Sequence, residues 1–532
     1  MKGTPAHLAY SQTGFFSATV LDYISGASEL QPFYTHPVSI DGVKEAIVER
    51  KNFVTNRPLL VNVLTDQYKD ATLSENQQYN LQQLNNPNCF TITTAHQPNI
   101  FTGQLYFIYK ILHAVKIAAD LNSKFSDAHF VPVYYMGSED ADLDELGYIF
   151  INGQKYEWET RQTGAVGRMK VDDALVKLIT IISGQLLVHP FGKEIVELMQ
   201  QCYRPGVTIE KATFLLVNQL FAEYGLLIVL PDSHALKQAF IPIILRELEH
   251  QFSQPAVQET ISSLPAKYKQ QASGRELNMF YLQEGSRERI EKVNDEWLVV
   301  NSSLKFNRDE MLQELQQYPE RFSPNVILRP VFQETILPNI IFIGGGGEIA
   351  YWLQLKKVFA TAGVPYPLMV VRNSFLIVEK KYETLIKKLQ VSYEQIFKKE
   401  FDLMTALVKR DSSTQLDLEK EKEMMHQLYQ QVKVVAANVD SNLQNHTEAL
   451  YIKALKKINA LEKKILKSEK LKFASQQAQL HKIKYQLFPN NSLQERTENL
   501  MLFYALWGSG FIKTLYDYSL TLEQQFCVLV ED

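Results

Sequence analysis

Two stretches of the chain share one pattern of apolar and polar positions. An apolar, β-type run at Cys89–Thr94 leads into a polar, turn-rich loop at Ala95–Gly103. An apolar helical run at Leu105–Leu121 follows, then a second β-type run at Val131–Met136. Strand, loop, helix and strand form one βαβ unit of a parallel sheet. The pattern returns with a strand at Ile340–Ile343, a glycine turn at Gly344–Gly347 and a helix from about Glu348 to Ala362. Gly363 and Pro365 stop that helix, and Leu368–Val371 is the next strand. Between the two units, a helix at Thr208–Tyr224 feeds the short apolar run Gly225–Pro231, a further buried strand, and another helix lies near Ala235–Gln251. A helical pattern occupies Val43–Phe53, and short strands and a helix are expected at Phe150–Trp158 and Ala174–Ser183.

From residue 380 to 487 the pattern changes. Glycine and proline vanish, and Lys, Glu, Gln and Leu take over. Leu428, Val432, Val435 and Val439 step by 4, 3 and 4 residues, as do Ala454, Ile458, Leu461 and Ile465. That is heptad spacing, and its break near Asp440–His446 predicts two helices folded back as a hairpin. The fold class expected is therefore α/β: a Rossmann-like parallel-sheet core with connecting insertions, plus a helical coiled-coil domain. The core should span 1–380, with insertions near 150–205 and 254–322. The antiparallel coiled coil should span 381–487, and 488–532 should return to the core.

Composition changes this picture little. The 532 residues are 45% apolar and 21% charged, with a formal net charge of −4. Those are values of an ordinary globular protein, with no global case for nucleic acid or an anionic membrane. Three dispersed cysteines (Cys89, Cys202, Cys527) form no metal pattern and suit a reducing cytoplasm. The N-terminal residues carry no apolar signal core, and no run is long enough to span a bilayer.

The candidate chemistry sits at the carboxyl ends of the strands, where ligands bind in such sheets. Thr94–Gly103 offers His96 as a donor or proton carrier, with Gln97 and Asn99 as neutral partners. Gly103 allows close backbone approach. The same loop could equally satisfy only its own backbone. Gly137–Glu145 holds five carboxylates: Glu139, Asp140, Asp142, Asp144 and Glu145. They could hold a cation, bind an amine or supply a base, or be a solvated acidic turn. The spacing is not that of a calcium loop, and no metal ligand set is assigned. The glycine turn before Glu348 fits neither the dinucleotide fingerprint nor a P-loop. Arg329 and Arg372 could meet a carboxylate or phosphate, or form structural ion pairs. Ten lysines between Lys453 and Lys484, against Glu462 and Glu469, make a basic face best read as a solvated coiled-coil surface.

Several segments together resemble one known family. They are TAHQPNIFTGQLYFIYK, VPVYYMGSEDADLDE, NMFYL, FSPNVILRPVFQETILPN with GGGGEIAYWLQLK, and FPNNSLQER after a coiled coil. In this order they are similar to the cysteine-adding enzymes of bacillithiol biosynthesis, the cysteine ligases of that pathway. The resemblance implies a Rossmann-like core related to class I aminoacyl-tRNA synthetases and a coiled coil that promotes a homodimer. It also implies addition of cysteine to glucosaminyl-malate. His96-Gln97-Pro98-Asn99 stands where a class I synthetase carries His-x-Gly-His. Asn99 replaces the second histidine, and no Lys-Met-Ser-Lys-Ser loop follows the last core strand.

In that light the expected reaction activates the cysteine carboxylate, with ATP or a related nucleotide as donor and Mg²⁺ possible. The catalytic residues expected are His96, Asn99, Glu139 and Asp140. Substrate contacts are expected from Gln97, Gly103, Asp142, Arg329, Gly344, Gly345, Gly346, Glu348, Tyr351 and Trp352. A separate nucleotide pocket is expected at Arg372, Asn373, Ser374, Asn490 and Arg496. Two other readings remain open: a nucleotidyl transferase on another amino acid or sugar, and a non-catalytic coiled-coil scaffold of the pathway.

Overall fold

The structure is a computed structural model describing residues 3–532. It divides into two compact units, one running to Ile377 and resuming at Ser492–Asp532, the other Val378–Asn491. No helix among the described residues is long and apolar enough to cross a membrane.

The first unit is built on a five-stranded parallel sheet. Its strands are β1 (Cys89–His96), β2 (His129–Met136), β3 (Leu227–Val229), β4 (Asn339–Gly344) and β5 (Leu368–Val371). They lie in the order β5-β4-β1-β2-β3. β1 and β4 are buried nearly end to end. This is why they read as continuous β-branched and aliphatic runs rather than alternating ones. The helices that serve the site are α1 (Tyr106–Lys124), α2 (His234–His250), α3 (Arg329–Ile336), α4 (Gly346–Trp352) and α5 (Lys356–Ala362).

The single helix expected from Glu348 to Ala362 is two. Its break at Leu353–Leu355 has a visible cause. Gln354 is buried, its Oε1 accepting the Gln271 and Ala272 N–H groups at 3.1 and 2.9 Å. Trp352 stacks on Phe342 with centroids 4.0 Å apart. The turn tightens there to an i→i+3 bond, from Leu355 N–H to Trp352 O at 2.8 Å. α5 then ends at Gly363 with φ +73°, a left-handed stop.

Two stretches of the first unit fold outside the parallel sheet. The first carries a hairpin, Tyr148–Ile151 with Gln154–Glu157, and helices at Asp173–Leu186 and Gly192–Cys202. The second is a helix, Ser253–Ser263, and an antiparallel sheet. That sheet orders Lys305–Phe306, Glu296–Val299, Ser286–Val293, Met279–Gln283 and Phe322–Pro324. A further small sheet went unread in the sequence. Gly3–Leu8 pairs antiparallel with Phe526–Glu531, which neighbours Ser374–Val378.

The second unit contains the helical hairpin, α6 (Glu419–Val439) and α7 (Leu443–Lys470), turning at Asp440–Asn442. Lys433 pairs with Glu448 at 2.8 Å and Lys422 with Glu462 at 2.9 Å, fixing the antiparallel register. The seam differs from the heptad expectation. Leu428, Val432, Val435 and Val439 remain exposed, Val439 at 80%. Tyr429 and His426 meet Tyr451 across the hairpin instead.

Candidate active site

The order of strands places the site. From β1 the chain proceeds outward through β2 to β3, whereas β4 and β5 lie on its other side. The switch point therefore falls between the carboxyl ends of β1 and β4, where a crevice forms. A cavity of about 590 Å³ opens there. Its wall takes His96 and Gln97 from the end of β1, Glu139, Asp140 and Glu145 after β2, and Gly345–Glu348 after β4. α1 contributes Tyr106 and Lys110, and α3 contributes Arg329. Arg275 and Arg287 come from the second insertion, Arg372 from the end of β5, and Arg496 from the returning segment.

His96 is held as a neutral imidazole. Burial first, then the charges of Lys110, Arg372 and Arg329, keep its pKa well below the ordinary histidine range. Its ring lies 4.9 Å from Phe107 and 5.4 Å from Tyr106, centroid to centroid. Its Nε2 is buried without a partner. A buried polar atom left unpaired is costly and rare, so this nitrogen is free for a ligand.

Several arginines on the cavity wall form no close ion pair among the described residues, although Glu139 and Asp140 act on Arg287 and Glu348 on Arg329. Arg329 donates to the Tyr351 hydroxyl at 2.7 Å, and among the described residues it meets no carboxylate. Arg287 bonds Ser323 Oγ at 3.2 Å and lies 4.0 Å over the Phe280 ring. Arg372 differs: Glu495 pairs with it at 2.7 Å, while its Nε is buried and unpartnered. Lys110, buried in α1, pairs with Glu348 and donates to Ala95 O at 2.8 Å.

The acidic side is more differentiated than a run of carboxylates suggests. Glu139 is ion-paired to Lys237 of α2, whose ammonium also donates to Phe322 O at 2.6 Å. Burial raises the Glu139 carboxyl, against the pull of Lys237. Asp140 accepts from Gln97 Nε2 at 3.2 Å and is otherwise open to the cavity. Asp142 caps the short helix Leu143–Leu146 through the Glu145 N–H. Glu145, not Asp142, faces the cavity, and burial followed by Asp142 and Asp140 raises its carboxyl. Gly167 seats this loop, since a Cβ there would fall 2.5 Å from Ser138 Cβ.

The expected residues thus divide. His96, Gln97, Glu139, Asp140, Arg329, Gly345, Gly346, Glu348, Tyr351, Arg372 and Arg496 share one cavity. Asn99 does not reach it: it is buried behind the loop and packs on Gly103. Gly103 shapes that loop rather than a ligand contact, with φ +61° and Asn99 Cβ 2.7 Å from where its own Cβ would stand. Gly344 ends β4, and Trp352 is a core residue stacked on Phe342. The separate nucleotide pocket is corrected as well. Asn373 bonds His113 and Leu520 O, and Ser374 bonds Arg372 and Glu495, all inside the core. Asn490 belongs to the helical unit. Lys110, Lys237, Tyr106, Arg275 and Arg287 were not anticipated, and Glu145 was read only as one of the five carboxylates of its loop. A lone lysine in the otherwise apolar run YFIYKILHAV was the available signal for Lys110. Among the described residues no group of three His, Cys, Asp or Glu side chains is arranged to hold a metal ion.

Comparison with known proteins agrees with this architecture. The chain matches "Bacillithiol biosynthesis BshC, N-terminal Rossmann-like domain" over residues 4–373 and the C-terminal coiled-coil domain of the same family over 375–531. A relative from Flavobacterium johnsoniae named "Putative cysteine ligase BshC" is 38% identical, covering 98% of this chain and 99% of its own. One of the same name from Cytophaga hutchinsonii is 38% identical over 92% of each chain. The fold and these relatives define a Rossmann-like ligase with a C-terminal coiled coil. The chain belongs to the BshC family of bacillithiol biosynthesis.

Proposed function

We propose that the cavity joins the carboxylate of cysteine to the amine of glucosaminyl-malate, forming the amide of bacillithiol. The name of the relatives supports the cysteine half of this reading. The observation that carries the rest is the composition of one cavity wall. Arg275, Arg287 and Arg329, His96 with its buried Nε2 unpartnered among the described residues, and the carboxylates of Glu139, Asp140 and Glu145 line the same cavity. An acceptor that carries malate carboxylates suits Arg275, Arg287 and Arg329, which form no close ion pair among the described residues.

A free carboxylate is a poor acyl donor in water, so the reaction needs activation. The proposed donor is ATP with Mg²⁺. The orphaned Nε of Arg372, the turn at Gly345–Gly347 and Arg496 suit a phosphate group. In the bond-forming step the amine nitrogen attacks the activated carbonyl carbon. The C–N bond forms, the bond to the phosphate oxygen breaks, and one proton leaves the amine. Asp140 is the better proton acceptor, because Glu139 is committed to Lys237. His96, neutral and with Nε2 unpartnered, donates its Nε2–H to the acyl oxygen on which negative charge develops. The chain is further proposed to work as a homodimer through the apolar face that α6 leaves exposed.

His96→Ala is the direct test. It should lower product formation on the order of 10²-fold, the range for one positioned acid–base or oxyanion group, with the melting temperature unchanged. An unchanged rate removes His96 from the reaction.

A further inference from the structure

Lys110 stands among the mostly apolar buried residues of α1, with His113 the other polar one, and it is 1% exposed. An ammonium is taken out of water at a cost unless it is paired and hydrogen-bonded. Its partners here are two. One is Ala95 O at 2.8 Å, the penultimate residue of β1. The other is the carboxylate of Glu348, in the first turn of α4 after β4. Glu348 in turn accepts the Gly345 N–H at 2.8 Å, curling back onto the glycine turn. One buried charge on α1 therefore ties together the ends of the two strands that flank the switch point. A neutral side chain of the same length would leave the Glu348 carboxylate without its cation and the Ala95 carbonyl without its donor.

We propose that Lys110 is a positioning residue for the ligation: it locks the Gly345–Glu348 turn against the His96 end of β1. The spacing between His96 and the turn is then set by a side chain that belongs to neither strand. The proposal rests on the cavity being the ligation site. Lys110 acts on His96 by charge as well as by geometry. The charges that act on the imidazole are Lys110 from α1, Arg372 after β5 and Arg329 from α3, and its ring neighbours are Tyr106 and Phe107 of α1. Glu348 and Tyr351 of α4, with Asp140 and Glu145 from the loop after β2, line the same cavity, and Tyr134 of β2 donates to His96 O at 3.1 Å. Among the cations, Lys110 has the largest effect in keeping the ring neutral, after burial itself.

The experiment compares Lys110→Met and Lys110→Arg with the unaltered protein. Product is followed by mass spectrometry with cysteine, glucosaminyl-malate and MgATP. The His96 titration is followed by NMR on ¹⁵N-histidine-labelled protein. Lys110→Met should lose product formation on the order of 10²-fold, the effect of misplacing a site by about 1 Å. Its His96 titration should move up toward the ordinary range. Lys110→Arg should restore part of the rate and keep the titration low. A Lys110→Met protein that turns over at the full rate overturns the proposal, as does one that loses rate with the His96 titration unmoved. Should Lys110→Met fail to fold, Glu348→Gln breaks the same strut while leaving the ammonium in place. It should lower the rate with His96 still titrating low, and a full rate would again overturn the proposal. If the unaltered protein makes no product, the ligation reading fails, while the His96 titration still decides whether Lys110 governs the imidazole.

Discussion

Single side chains carry most of this account, and their surroundings decide their roles. Arg329 is buried against Tyr351 and Tyr135, and among the described residues it forms no close ion pair, the Glu348 charge acting on it only from further off. Arg329→Met should therefore raise KM for glucosaminyl-malate at least tenfold, about 1.4 kcal/mol of lost binding, and change KM for cysteine much less. Steady-state kinetics on each substrate checks this. His113 makes a different prediction. Its Nε2 must donate to Thr521 O at 2.7 Å, and its Nδ1 must accept from the Asn373 N–H at 3.1 Å, so only the neutral ring fits. Burial first lowers its pKa to about 4 from 6.5. Between those values the unfolded chain binds the extra proton, so this stability is present above pH 6.5 and is lost as pH falls toward 4. The loss is roughly 3 kcal/mol at about 1.4 per pH unit. His113→Gln should flatten that part of the stability–pH curve in urea titrations. An equal slope in both proteins would refute the assignment.

At this scale the sequence was readable where chemistry is local. His96 and Asp140 stand at or just past the carboxyl ends of β1 and β2, and Arg329 opens α3; all three line the cavity. Lys110 and Lys237 were missed because a lysine on a helix reads as solvated unless its burial is known. Asn99 and Trp352 were misplaced for the opposite reason: a side chain one residue from a turn or on a helix gives no sign of which side it faces.

Among elements, the loop from His96 to Gly103 shows how backbone geometry fixes the site. Gly103 adopts φ +61° and ψ −141°, a region open to glycine alone. Asn499 Nδ2 holds Phe101 O at 2.8 Å, and Gly103 O is bonded to the same amide. Gly103→Ala combines backbone strain with a clash on Asn99. It should destabilise the first unit by about 1–3 kcal/mol and lower activity with it, as read by urea unfolding and turnover on one preparation. The parallel strands were legible because burial on both faces writes a continuous apolar run. The sheet formed by Gly3–Leu8 and Phe526–Glu531 was not, since its pairing joins the two ends of the chain and leaves no local pattern. The helix break at Leu353–Leu355 was hidden as well, because it depends on Gln354 meeting a distant insertion.

For the whole molecule, the two units offer different features. The cavity and its charged lining belong to the first, and the exposed apolar positions Leu428, Val432, Val435 and Val439 to the second. Val432→Glu with Val435→Glu should shift the protein from dimer to monomer in light scattering. A monomer in the unaltered protein would refute that part of the proposal. The heptad spacing was readable in the sequence. Which helix face turned inward was not, because both faces of α6 offer apolar residues and the register rests on long-range pairs such as Lys433–Glu448 and Lys422–Glu462, with Tyr429 and His426 against Tyr451.

The central claim is that this cavity joins cysteine to an amino-sugar malate at the expense of a nucleotide. The most direct measurement mixes purified protein with cysteine, glucosaminyl-malate and MgATP, then omits each in turn, with mass-spectrometric detection. A bacillithiol mass that needs every component is the predicted result. No product from folded protein supplied with all of them, or product formed without cysteine, would contradict it.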